Sequence, residues 1–549
     1  MTVLLRQIRH ELVAISRTPI TLVLCLGLPV GFFVLLSALV GNEVLDEAQG
    51  LRLVQFFAPG SATFGIAMAT FSFLAIAFAE ARSTGVLKRQ AGSPVPGWVL
   101  VGGRLGASLV LGLVSTVLIL GSGVAFYGLV IPSRSIAAVL VTLVVSSLAF
   151  SALGLALAML LPNVQTTVAV TNGVVVPLSF ISDVFMVGGA MPGWLAGFGW
   201  LFPLKHIASL LRDALNPYLT GSGFQLDHLA VIVAWGVVGA VASVVLVRRQ
   251  REGAAARQSS TRAHATAGDA VPRRTGAPAW LALVLSEVRH TQTSLWRDWS
   301  AVFFAIAFPV VLVAVIPSVN GGGDQLLANG QPLGTFYAAT MAVYGAAVTA
   351  YGNMPQTLAE DRERGVLKRV RATPLPESAL IVGRIVGALV IVLITALMVV
   401  AVAAALYRPA LPRGLAAAVV TLVVATVCFA VLGIAVTTFV RSAQAVIGVT
   451  LGTLLPLAFI SDIFVVGATL PSALDLLSWI FPLRHASSAL TQAVAPDLVG
   501  SGLAWGHLGA LLAWTAVGAV VVALRFRWEA VDSSRHTARA TRVEPVAAR

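Results

Sequence analysis

The sequence is short of charge, of cysteine and of lysine. Only 11 % of its 549 residues are charged, against roughly a quarter in an ordinary soluble domain. So few polar groups cannot cover the surface of a water-soluble fold. A soluble enzyme, a nucleic-acid binder and a disordered chain are excluded together. The two cysteines, Cys25 and Cys428, lie inside apolar runs, so neither a disulfide framework nor a cysteine metal site is expected. Leu22-Val23-Leu24 before Cys25 lacks the small residues of a lipoprotein cleavage site. Lysine occurs only at Lys88, Lys205 and Lys368, each time after leucine. A Walker A loop needs Gly-Lys followed by Ser or Thr, because the lysine reaches the β- and γ-phosphates and the hydroxyl binds Mg²⁺. The chain is therefore expected to carry no ATP site. Its eight histidines show no HExxH spacing, and no nucleophile elbow is present, so neither catalytic residues nor a metal site are expected.

What the chain has in abundance is apolar length: 58 % of the residues are hydrophobic. A spanning helix needs about 20 mostly apolar residues. Runs of this kind fall at 20–41, 56–79, 105–130, 137–161, 165–188 and 229–247, then at 299–318, 335–358, 385–407, 415–439, 445–467 and 508–524. Twelve membrane helices are predicted, because lipid offers the backbone no other hydrogen-bond partners. The second six repeat the first. Arg9-His10 recurs as Arg289-His290, Gly103-Arg104 as Gly383-Arg384, Pro177-Leu178 with Phe180-Ile181-Ser182-Asp183 as Pro456-Leu457 with Phe459-Ile460-Ser461-Asp462, and Phe202-Pro203-Leu204-Lys205-His206 as Phe481-Pro482-Leu483-Arg484-His485. The expected fold is an all-α polytopic membrane protein of two parallel six-helix repeats about a pseudo-twofold along the membrane normal. Unit one covers 1–247 and unit two 279–527. The segment 248–278, rich in Arg, Ala and Gly, reads as a flexible basic linker, and 528–549 as a tail.

The formal charge of +13 gathers on one set of flanks: Arg6, Arg9 and Arg17, then Lys88 and Arg89, then the linker. The opposite set opens on Glu43, Asp46 and Glu47. The positive-inside rule puts the basic side, with both termini, in the cytoplasm. Use of arginine over lysine, with abundant Ala, Val and Gly, suggests a bacterial source and hence the plasma membrane.

One motif is retained in register in both halves. Glu80, Gly85, Lys88, Arg89 and Pro94 match Glu360, Gly365, Lys368, Arg369 and Pro374 in the pattern E-x₄-G-V-L-K-R-x₄-P-x-P. It predicts a short polar helix ended by prolines that turns back into the membrane. An ordinary basic loop is the bland alternative for either copy alone. The motif resembles the cytoplasmic loop of ABC-2 type exporter permeases, which include antibiotic and drug exporters. The resemblance implies that these ten residues lie in two coupling loops, each containing a coupling helix that docks on a separate ATP-binding subunit. It implies two copies of that subunit, which carry ATP and Mg²⁺. The family unit has six spans and works as a dimer, fused here into one chain.

Two further segments fit the resemblance. Residues 1–17 and 280–297 read as amphipathic helices on the inner surface. Pro177 and Pro456, expected to break or kink span five and its copy, are followed by Asp183, His206, Asp462 and His485. With them they resemble a re-entrant extracellular hairpin. Asp183 with His206 also suggests a metal site or a proton relay, against the plainer reading of a helix cap. Phe64, Met68, Phe71, Phe180 and Phe459 are the candidate wall of a substrate cavity, suited to a hydrophobic or amphipathic compound. The expected function is the permease of an ATP-driven exporter working by alternating access. The alternatives are a secondary transporter of the major-facilitator kind, lipid or polysaccharide export and, least favoured, a membrane enzyme. The bilayer is a partner; nucleic acid is not expected to be one.

Overall fold

The computed structural model describes residues 2–17, 22–40, 44–46, 51–185, 191–258, 280–371, 373, 375–408, 414–440, 442–466, 470–496 and 500–525. In the first half the chain forms α1 (Thr2–Ser16), α2 (Leu28–Val40), α3 (Leu53–Ser83), α4 (Val86–Ala91), α5 (Gly97–Tyr127), α6 (Ile136–Leu160), α7 (Val164–Ile181), α8 (Gly193–Trp200), α9 (Pro203–Leu215) and α10 (Leu226–Gln258). The second half repeats the order with α11 (Trp280–Arg297), α12 (Phe308–Val319), α13 (Leu333–Glu363), α14 (Val366–Arg371), α15 (Glu377–Tyr407), α16 (Leu415–Phe439), α17 (Ala443–Ile460), α18 (Ser472–Ile480), α19 (Pro482–Ala493) and α20 (Trp505–Arg525). Each helix has its counterpart ten numbers on.

Among the described residues nine helices are long and apolar enough to cross a membrane, and three shorter apolar ones run over Cys25–Ala38, Phe303–Val319 and Ala445–Ile460. The three fall on the first, seventh and eleventh apolar runs of the sequence. Helix starts follow local chemistry. The Asn163 side chain accepts from the Thr166 amide at 2.7 Å, and Ser442 accepts from the Ala445 amide at 3.1 Å. Each supplies one of the orphan donors of α7 and α17 with a partner. Helices α3 and α13 lie in the interior, whereas α10 and α20 turn most of their surface outward. One continuous core joins both halves.

The expected all-α fold holds for nearly all of the described residues, with one antiparallel pairing of Val44–Asp46 with Leu51–Arg52 before α3. Two expectations need correction. Helix α10 runs on to Gln258, eleven residues into the segment read as linker, because Arg, Gln, Glu and Ala there all favour helix. Neither proline breaks its helix: α7 continues past Pro177 to Ile181, and α17 past Pro456 to Ile460. A proline removes one backbone hydrogen bond, and the neighbouring turn survives. Residues 259–278 of the linker and the tail from 526 lie outside the described residues.

The halves meet through exchanged contacts, as a twofold requires. Helix α7 packs on the stretch Trp299–Val319, and α17 packs on α2. The symmetry is approximate. A Cβ at Gly173 on α7 would lie 2.3 Å from the Phe303 ring, whereas at the matching Gly452 nothing lies within 4 Å. At the basic end α1 packs on α5 and α11 on α15. Glycines allow this approach: a Cβ at Gly103 would meet Gln7 at 2.3 Å, and one at Gly383 would meet Glu287 at 2.6 Å.

Candidate functional site

At the basic end each half carries the same turn. Gly85 has φ +71° and Gly365 φ +68°, a left-handed conformation that a side chain disfavours. Each glycine opens a six-residue helix, α4 or α14. Lys88, Arg89, Lys368 and Arg369 on these helices are exposed and make no ion pair among the described residues. Glu80 is exposed, and Glu360 pairs with Arg364 at 3.2 Å. Pro94 is exposed where the chain leaves α4; Pro374 lies outside the described residues.

Two arginine pairs, to which the sequence reading gave no role, brace the helices around this turn. Arg82 donates to the carbonyls of Ala158 and Leu161 at the end of α6, and Arg362 donates to those of Thr437 and Val440 at the end of α16. Each cation supplies partners for carbonyls that a helix end leaves orphaned. The signal was present: the second variable position of E-x₄-G is arginine in both copies. The repeated Gly-Arg pair has a role as well. Arg104 reaches Glu11 on α1 at 3.4 Å and Gln90 on α4 at 3.3 Å. Arg384 reaches Glu287 on α11 at 3.2 Å and pairs with Asp361 at the end of α13. Arg104 thus ties α1 and α4 to α5, and Arg384 ties α11 and α13 to α15.

At the opposite end α7 and α17 stop at Asp183 and Asp462, both with φ 55°. The Val184 amide then bonds back to Ser179 and that of Ile463 to Ala458, five residues earlier, which closes each helix with a left-handed cap. The aspartates pair with cations from the start of α9 and α19: Asp183 with Lys205 at 3.3 Å, and Asp462 with Arg484 at 3.2 Å. Arg484 also donates to the Ile460 carbonyl at 2.9 Å. The plainer reading of Asp183, a helix cap, is the one the geometry supports. His206 is turned away from it. Its Nε2 lies 2.8 Å from the Trp200 carbonyl and its Nδ1 2.8 Å from Nδ1 of His228. The carbonyl can only accept, so His206 donates through Nε2 and accepts from His228. His485 repeats the arrangement with Trp479 and His507. Among the described residues no three His, Cys, Asp or Glu side chains gather where a metal ion would bind.

Between the halves, close to these caps, lies a cluster of buried rings. Phe32 meets Phe459 at 4.8 Å, Phe180 meets Phe464 at 6.2 Å and Phe185 meets Phe459 at 6.4 Å, each pair crossing from one half to the other. Phe64 and Tyr344 close its flanks against Phe185 and Phe464, both at 5.0 Å. Phe64, Phe180 and Phe459 are therefore packed ring against ring in this conformation rather than facing open space. Phe71 packs on Phe150 within its own half, and Met68 is partly buried at the core. Phe185 and Phe464 were missed, although they recur at the same shift two residues beyond the aspartates.

The chain is similar to known membrane permeases. The profile of the ABC-2 type transporter family matches residues 3–216 and again 283–494. The inner membrane transport permease YadH of Escherichia coli is 23 % identical over 181 residues, covering 33 % of this chain and 70 % of that protein. A daunorubicin resistance ABC transporter permease protein of Streptomyces coeruleorubidus is 23 % identical over 248 residues, covering 43 % of this chain and 82 % of its own. Two full matches in register, on the same halves that carry the two turns, the two caps and the two histidine pairs, make this chain a member of the ABC-2 type transporter family with its membrane unit present twice.

Proposed function

We propose that the chain is the complete membrane part of an ATP-driven exporter in a bacterial plasma membrane, spanning it twelve times with both termini and the linker inside. The observation that carries this is the pair of exposed basic helices, α4 and α14, each directly following a long helix, α3 or α13, whose arginine, Arg82 or Arg362, holds the end of α6 or α16. A force applied there reaches the whole half. Two copies of a separate ATP-binding subunit, holding ATP and Mg²⁺, supply that force by closing on each other. The halves rock in response, so that a path between them opens alternately to either side.

The aromatic cluster and the capped hairpins sit at the outer end of this path and close it in the resting state. Ring pairs add about 0.5–1.5 kcal/mol each beyond their burial, so three cross-half pairs hold the seal with about 3 kcal/mol in all, within reach of one conformational stroke. The apolar wall suits a hydrophobic or amphipathic compound, in keeping with the drug-resistance relative. Membership of the ABC-2 family removes the major-facilitator alternative. The test is co-purification with the ATP-binding subunit from the neighbouring reading frame. Lys88→Glu with Lys368→Glu is expected to abolish its retention and the stimulation of its ATP hydrolysis by the membrane part. Undiminished retention and stimulation in that double variant overturn the docking assignment.

A further inference from the structure

The two seams between the halves are built differently. On one side the Phe303 ring lies over Gly173 and leaves α7 no spare room. In the first half Val23 stands at the position of Phe303, in the π-helical turn Val23–Gly27 that leads into α2. Helix α17 packs on this turn and on α2. Yet Val23 is 49 % exposed, and Gly452 of α17 has open space around it. Val449 and Pro456 of α17 are exposed, whereas Val170 is partly buried and Pro177 fully buried at the matching positions of α7. At its far end the α2–α17 seam is closed by Phe32 on Phe459, 4.8 Å apart. The second half has Leu312 at the position of Phe32.

A further difference lies at the basic end. Glu363 closes α13 and accepts a hydrogen bond at 2.8 Å from the Ala443 amide, the first of α17. A carboxylate on the orphan amides of a helix start makes a charge-assisted bond that the helix dipole favours. Arg362, one residue earlier, holds the end of α16. The turn leading into α14 therefore grips both sides of the α16–α17 junction. The first half has Ser83 at the position of Glu363, and its hydroxyl donates to the Glu80 carbonyl of its own helix. There Arg82 holds the end of α6, and α7 begins on its own cap, Asn163.

We propose that the path between the halves opens along one seam only. Helix α17 moves against α2, where the packing is open, while α7 stays clamped by Phe303. Glu363 is the positioning residue that passes the displacement of docking helix α14 to α17. This rests on the exporter reading and adds to it which helix moves and what moves it. The stroke parts Phe32 from Phe459 and unseals the path on that side of the molecule.

The test uses the full complex with its ATP-binding subunit in lipid nanodiscs, with Cys25 and Cys428, both buried, replaced by alanine. Spin labels at Val23→Cys with Val449→Cys report the α2–α17 seam. Labels at Val310→Cys with Val174→Cys report the α7–α12 seam. Distances are read by pulsed electron paramagnetic resonance before and after trapping with ATP and vanadate. The first distance is expected to change by about 5 Å, one helical turn, and the second by less than about 2 Å. Glu363→Ser, which places there the residue of the first half, is expected to remove most of the first change while the ATP-binding subunit stays bound. Glu363→Gln keeps an acceptor for the Ala443 amide and is expected to retain the change. A merely structural role would lower the melting temperature and leave the change in place. No change at the first seam, equal changes at both, or a first change untouched by Glu363→Ser overturns the proposal and leaves the exporter reading standing. A subunit that is not retained overturns both. The seam comparison uses the parent residue at 363, so it decides even if Glu363→Ser fails to fold.

Discussion

At the scale of single residues, most of the account rests on residues that shape or satisfy the backbone at helix ends. The left-handed glycines are one case. Gly85→Val together with Gly365→Val forces a β-branched residue into a conformation that costs about 1–3 kcal/mol per site. The double variant is expected to assemble, to unfold at a lower temperature, and to lose stimulated ATP hydrolysis because Lys88 and Lys368 are turned out of position. A thermal melt and an ATPase assay on the same preparation check both. His206, on α9 outside the spanning helices, gives a pH prediction. Burial holds its imidazole below the ordinary histidine value, helped by the nearby His228 and opposed by the Trp200 hydrogen bond and Asp227. A native value below the unfolded one means that the unfolded chain takes up the proton more readily. The contribution to stability is present above about pH 6.5 and is lost as pH falls below it. His206→Gln keeps a donor for the Trp200 carbonyl and does not titrate, so its melting temperature should fall less between pH 7 and pH 5 than that of the parent. Equal falls would show that His206 is not the group responsible.

Residues of this kind were half legible in the sequence. The glycines and lysines stood out because they recur within a motif. Arg82 and Arg362 occupy variable positions of that motif and escaped, since their partners are backbone carbonyls about 75 residues further along. Backbone partners leave no mark in composition. The aspartates were flagged, but their cations were not assigned to them: Lys205 sits beside His206, and adjacency in sequence drew attention to the wrong neighbour.

At the scale of elements, the apolar runs located the apolar helices well and their ends less well. Periodicity and length report which residues avoid water, so 335–358 grew to Leu333–Glu363 and 385–407 to Glu377–Tyr407, because a helix does not stop where its sequence turns polar. The prolines misled for a related reason: the chain changes direction at the left-handed aspartate, and proline only weakens the turn before it. Contact between elements is set by small residues, as expected where lipid removes the hydrophobic drive to associate. Gly173 is the clearest instance. Gly173→Leu places bulk where the Phe303 ring already lies and should separate α7 from the α12 side. Destabilisation of about 2 kcal/mol or more is expected from overpacking, whereas Gly452→Leu, with open space around it, should be tolerated. Comparing the two melts in one detergent checks the asymmetry, and equal losses would contradict it.

At the scale of the whole molecule, duplication places two membrane units in one chain. Both turns, both amphipathic helices and both sides of the aromatic cluster lie in one polypeptide, and a single core runs through both halves. Fusion has also let the halves diverge. The second half carries an arginine held by two carboxylates, while the first holds Arg104 through one carboxylate and one amide. Sequence repeats made the duplication plain. The divergence shows only in part in the sequence, as Asp361-Arg362-Glu363-Arg364 where the first half has Ala81-Arg82-Ser83-Thr84, because its meaning depends on which residues α11, α13 and α15 bring together.

The central claim is that one chain forms the entire membrane part and offers two docking sites. Native mass spectrometry of the complex purified with its ATP-binding subunit measures this directly. One permease chain with two ATP-binding subunits is the predicted assembly. Two permease chains in the complex, or a single ATP-binding subunit per chain under saturating conditions, would contradict it.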